Sequence, residues 1–177
     1  MATTIALAGR RIDPPDAETP RFPLANVALV RDRLRALFVE RGADTLVCSA
    51  ACGADLVALE AADALGIRRR VVLPFAAAMF RETSVTDRPG DWGPLYDRIV
   101  EAARRANDLV VLERAGEGGG AYEAANTRII EEAAAIPGER FALIVWEGRS
   151  RGDDDATAGF AEGARRSGLT VDEVLTI

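Results

Sequence analysis

Acidic residues that follow short apolar runs are the first candidates for chemistry in this chain. Glu113 follows Leu109-Val110-Val111-Leu112, and Glu147 follows Phe141-Ala142-Leu143-Ile144-Val145-Trp146. A carboxylate belongs at such a strand end if a glycosidic bond is cut through an oxocarbenium-like transition state. Glu60, five residues beyond Asp55, is a third catalytic candidate, either facing the same space or capping a neighbouring helix. The alternative for Glu113 and Glu147 is an ordinary solvated carboxylate. The sequence contains no His, and each of its 22 basic residues is Arg. A His-assisted triad, a lysine Schiff base and a Walker-type lysine are therefore excluded, leaving carboxylates, arginines, hydroxyls and backbone dipoles. Cys48 and Cys52 lack both a second ligand pair and the spacing of a metal knuckle, so no metal is expected and they read as buried thiols.

The strongest binding signal runs from Ser49 to Glu60. Gly53 lets the backbone pass close to a ligand, and a helix opening at Ala54-Asp55 presents free N–H groups and a positive dipole end to an anion. The alternative is a tight turn with Asp55 as N-cap. Gly9 would make room for the ligand, and Arg10 or Arg11 would grip phosphate oxygens unless they are solvated loop charges. Pro74 follows another strand on the same rim, and Ser84 offers a hydroxyl. Tyr122 and Asn126 share a helix face and suit a base or ribose; the alternative is a half-buried Tyr with an Asn bonded to a nearby loop. Asp153-Asp154-Asp155 suits a helix dipole but repels phosphate, which places the phosphate at Gly53 rather than at Thr157.

These residues need elements to hold them. Apolar runs predict strands at 4–8, 45–48, 70–73, 108–112, 141–146 and 171–177. Helical spacing predicts helices at 26–41, 55–65, 75–82, 94–105, 121–135 and 157–166. Alternating strands and helices imply an α/β fold, a Rossmann-like three-layer sandwich with a mostly parallel central sheet, in a single domain spanning 1–177. The ligand crevice should lie beyond the strand carboxyl ends, where strand order reverses. A Pro-rich stretch at 13–23 and a loop at 114–120 with four glycines are long enough to be functional. The net charge of −6 and pI near 4.8 argue against nucleic acid as a partner. No apolar stretch approaches the roughly 20 residues of a membrane span, and the start lacks a charged leader, so a cytoplasmic location is expected.

Residues 45–60, followed by Val71-Val72-Leu73-Pro74-Phe75, resemble the Gly-Ala-Asp motif and next strand of the SLOG superfamily. That Rossmann-like group includes the cytokinin-activating phosphoribohydrolases and the DNA-processing protein A domain. The chain is similar in particular to bacterial SLOG-type domains, some found beside tetratricopeptide repeats. The matching residues are Gly9-Arg10-Arg11-Ile12-Asp13, Pro20-Arg21-Phe22-Pro23, Thr83-Ser84-Val85, Gly90-Asp91-Trp92, Ala121-Tyr122-Glu123-Ala124-Ala125-Asn126 and Val145-Trp146-Glu147-Gly148. The resemblance covers essentially the whole chain. It implies a domain that binds, and in some members cleaves, a nucleotide or nucleotide-derived small molecule, with no cofactor, in a homodimer formed through helices beside the site. Two departures stand out: Arg10 replaces a His of the pattern, and Asp153-Asp154-Asp155-Ala156-Thr157 replaces a Gly-Gly-Thr turn. The phosphoribohydrolase motif Pro-Gly-Gly-x-Gly-Thr-x-x-Glu has only a superficial echo in 118–123. Three functions compete: a nucleotide-binding sensor or processing domain, an N-glycosidic-bond hydrolase (phosphoribohydrolase-like or NAD-cleaving), and a protein-interaction module without a ligand.

Overall fold

A computed structural model describes residues 1–113 and 119–177. Six strands form one sheet: β1 (Thr3–Gly9), β2 (Ala43–Cys48), β3 (Arg68–Leu73), β4 (Leu109–Val111), β5 (Glu139–Trp146) and β6 (Thr170–Leu175). Their order is β4-β3-β2-β1-β5-β6, and every pairing is parallel. The helices are α1 (Val27–Glu40), α2 (Ala54–Ala64), α3 (Ala77–Ser84), α4 (Gly93–Arg105), α5 (Gly119–Ala135) and α6 (Ala156–Arg166). The α/β class read from the sequence is the one observed, with the sheet wholly rather than mostly parallel. Helix α3 begins two residues later than expected because Pro74 and Phe75 form the turn out of β3. The glycine loop expected at 114–120 lies mostly outside the described residues.

The period of two along the central strands sorts side chains into two cores. Ile5 and Leu7 of β1 join Leu143 and Val145 of β5 against Val30, Leu34 and Phe38 of α1 and Leu56 and Leu59 of α2. Ala6 and Ala8, with Ala142 and Ile144, face Ala125, Ile129 and Ala133 of α5 and Phe160 of α6. Helices α1 to α4 thus cover one face and α5 and α6 the other, which is why the central strands β1 and β5 carry long apolar runs.

Strands β1 and β5 are neighbours, with Gly9 opposite Val145, and strand order reverses between them. That is the position where an open parallel sheet leaves a crevice at its carboxyl edge. The Pro-rich segment flanks this edge and is pinned at its base. The Asp13 carboxylate accepts the N–H of Arg21 at 3.0 Å and of Phe22 at 3.2 Å, and Phe22 is fully buried. The Thr176 hydroxyl donates to the Arg21 carbonyl, and Asn26 Nδ2 donates to the Thr176 carbonyl at 2.9 Å.

Candidate functional site

A crevice of about 970 Å³ opens at the carboxyl ends of β1 and β2 and runs between α5 and α6. Of the sequence-derived candidates, Gly9, Arg10, Arg11, Ser49, Asp55, Ser84, Tyr122 and Asn126 line it. Gly53, Ala54, Pro74 and the three glutamates do not.

The two glycines serve the fold. A Cβ on Gly9 would lie 2.5 Å from Ala54 Cβ and 2.7 Å from the Val145 carbonyl, so the clearance expected for a ligand is taken by α2 and β5. Gly53 has φ +104°, and a Cβ there would meet the Arg10 carbonyl and the Ile12 nitrogen at 2.7 Å. The chain leaving β1 crosses directly over it, with Arg11 bridged to Gly53. The expected phosphate seat at α2 is thereby spent internally. The Ala54 N–H donates to the Arg10 carbonyl at 3.0 Å, and the Leu56 N–H to the Ala51 carbonyl at 3.3 Å. The Asp55 carboxyl folds back to accept the Ala51 N–H at 3.1 Å, setting an acidic group where the anion was expected. Burial pushes this carboxyl up to about 7, against the opposing pull of the Ala51 amide and Arg11.

Arg10, expected to hold phosphate, is bound to carboxylates of the chain itself. Its Nε donates to Glu147 at 2.6 Å, its Nη1 and Nη2 to the two oxygens of Asp155 at 2.6 and 2.8 Å, and Nη2 also to the Arg149 carbonyl at 3.0 Å. These side chains are at most 3% exposed. Asp155 caps α6 as well, accepting the Thr157 and Ala158 amides at 3.0 and 3.2 Å. Burial raises its carboxyl, but Arg10 and the amides of Arg151 and Ala158 override that and hold it well below its ordinary value. The α6 N-terminus is thus occupied, as the acidic run suggested.

The catalytic candidates fare poorly. Glu147 is held by Arg10, Glu60 pairs with Arg31 at 3.0 Å away from the crevice, and Glu113 is exposed beyond the edge strand β4. Asn126 bridges the helices by donating to the Ala156 carbonyl at 3.2 Å. Ser84 Oγ and the Tyr122 hydroxyl lie 3.1 Å apart, and Tyr122 stands edge-on to Phe75.

Residues that the sequence reading left out complete the site. Arg21, Arg88 and Arg151 line the crevice, as do Gly159 and Gly163 of α6. Among the described residues, Arg21 Nη1, Arg11 Nε and Ser49 Oγ are shielded from solvent yet have no hydrogen-bond partner. A signal for Arg21 existed: it lies in the long Pro-rich segment and in the matched Pro-Arg-Phe-Pro stretch.

Fold and crevice together define a Rossmann-like α/β protein with a crevice at the switch point of its sheet. No protein-family model and no curated protein matches the chain. Among solved structures, the DNA processing protein A (DprA) of Streptococcus pneumoniae is similar, with a TM-score of 0.55 and 18% identity over 97% of this chain. The likeness is one of fold, and the chain spans 50% of the length of that protein.

Proposed function

We propose that residues 1–177 act as one domain that binds a nucleotide or nucleotide-derived small molecule in the crevice, as a sensor or processing unit. The observation that carries this reading is the set of unsatisfied donors on the crevice lining, Arg21 Nη1, Arg11 Nε and Ser49 Oγ, beside a cavity of about 970 Å³. Buried polar groups without partners are rare in folded proteins, and an anionic, hydroxyl-rich ligand supplies what these lack. The fold shared with DprA and the SLOG-like motifs favour the same reading. The net charge of −6 speaks against a nucleic-acid ligand. The open crevice speaks against an interaction module whose pocket has been lost. Homodimerisation through helices beside the site belongs to the proposal. Native mass spectrometry of the purified protein, followed by a thermal-shift screen of nucleotides and NAD, tests it. A retained or stabilising phosphate-bearing compound is expected; a folded protein that responds to none overturns the reading.

Cleavage of an N-glycosidic bond is the second reading, and one observation favours it. Asp55, a carboxyl held near neutrality in the crevice, has the protonation range of a general acid. It takes the place of Glu60, Glu113 and Glu147. Release of free base by the wild type but not by Asp55→Asn is the expected result under that reading.

A further inference from the structure

The groups lining the crevice divide by chemistry across β1. On the β2 side stand hydroxyls and a buried carboxyl: Ser49 just past β2, Asp55 in the first turn of α2, Ser84 at the end of α3 and Tyr122 in α5. The arginines on that side are held by the chain itself, with Arg11 Nε the one donor among them that is left over. Arg11 binds Asp87 and approaches Cys52 Sγ at 3.6 Å, while Arg88 donates to the Ile12 carbonyl at 3.1 Å and lies 3.8 Å from Asp87.

The β5 side is different. Arg21 is anchored there through its carbonyl to Thr176, beyond the end of β6, and Arg151 lies in the turn between β5 and α6. Arg151 reaches Asp155 only at 4.0 Å, and Asp155 is already saturated by Arg10 and backbone amides. Burial, then repulsion from Arg10 and Arg21, lowers the Arg151 guanidinium from its ordinary value, so these cations crowd one another. The carboxylates near them are Asp13, engaged by the Arg21 and Phe22 amides, Glu147, held by Arg10, and the exposed Glu18, Asp153 and Asp154.

Resting on the nucleotide reading above, we infer that the ligand lies across β1 in one direction, with its sugar hydroxyls at Ser49 and Asp55 and its phosphate at Arg21 and Arg151. A carboxylate accepts sugar hydroxyls as it does in dinucleotide folds, and guanidinium forks match phosphate oxygens. The reverse direction sets phosphate against the buried Asp55 and leaves both guanidiniums facing a neutral sugar; Asp153 and Asp154, which neighbour the phosphate in the chosen direction, are exposed, so water and salt screen their repulsion.

The test is calorimetric titration with the four ribonucleoside 5′-monophosphates, the matching nucleosides and the 2′,3′-dideoxynucleoside 5′-monophosphates. Arg21→Gln should weaken the monophosphates about tenfold, the worth of one charge-assisted hydrogen bond, and leave the nucleosides unchanged. Arg151→Gln, at a side chain 45% exposed, should do the same without risk to the fold. Ser49→Ala, which removes a hydroxyl with no partner, and Asp55→Asn should weaken the ribo forms while sparing the dideoxy forms. If the arginine variants instead erase ribo-against-dideoxy selection, or the Ser49 and Asp55 variants erase phosphate selection, the direction is overturned while the nucleotide reading stands. If a folded wild type binds no probe, both fall together.

Discussion

Arg10 and Asp155 stand 145 positions apart and meet in two parallel hydrogen bonds, of 2.6 and 2.8 Å, beneath the crevice. With Glu147 on the other edge of the same guanidinium, the pair joins the end of β1, the end of β5 and the N-cap of α6. The arrangement sets the two walls of the site relative to each other and is closed to solvent.

Removing the cation strands two buried carboxylates. Arg10→Met should lower stability by about 3–5 kcal/mol, the usual consequence of breaking a buried pair, and adding Glu147→Gln and Asp155→Asn should restore part of it. Urea unfolding at neutral pH measures both. A loss under about 1 kcal/mol, typical of exposed pairs, would show that the pair is solvated.

Asp55 makes stability depend on pH in a direction unusual for a carboxylate. Its folded value near 7 lies above the ordinary 3.8, so the folded chain holds the proton more tightly between those limits. The stability this group contributes is greatest below about pH 4, falls as pH rises towards 7, and is level above. Asp55→Asn keeps an oxygen for the Ala51 amide and removes the charge. The variant should match the wild type near pH 4 and become more stable by pH 8, by at most about 4 kcal/mol. Melting temperatures across that range check it; a gap that does not change with pH refutes it.

Two glycines should respond to alanine in opposite senses. Gly53→Ala forces a side chain into φ +104° and against backbone atoms at 2.7 Å, so a loss of about 2 kcal/mol or more is expected. Gly159→Ala places its methyl where nothing lies within 4 Å, inside α6, and should gain about 0.5–1 kcal/mol from helix propensity. Thermal unfolding of the two variants beside the wild type decides both.

The order of strands and helices was legible because each central strand is buried on both faces and helices such as α1 and α4 carry one apolar stripe, while α2 reads as a short run buried almost all round. The interior of the site was not. Gly53 looks like a space left for a ligand, yet the space is filled by the chain leaving β1, a contact that no local pattern reveals. Arg10 looks like a free cation beside a turn, and its partners lie on the far side of the sequence. A hint was present all the same. The two departures from the SLOG-like pattern, Arg10 for His and the acidic run for Gly-Gly-Thr, are the two ends of a single ion pair. Asp55 was placed at the crevice, but its raised carboxyl depends on burial under neighbours that sequence spacing does not give.

Because β1 registers with β5 from Thr3 opposite Glu139 onward, half of the cleft is made of polypeptide synthesised long before the other half. Ser49, Asp55 and Ser84 leave the ribosome well before Tyr122 and Arg151, and long-range parallel pairing of this kind is slow. A small molecule held between them would therefore bridge early and late portions of the chain. Under the proposed function, its occupancy would add to global stability by mass action and so couple the lifetime of the folded protein to the supply of that molecule.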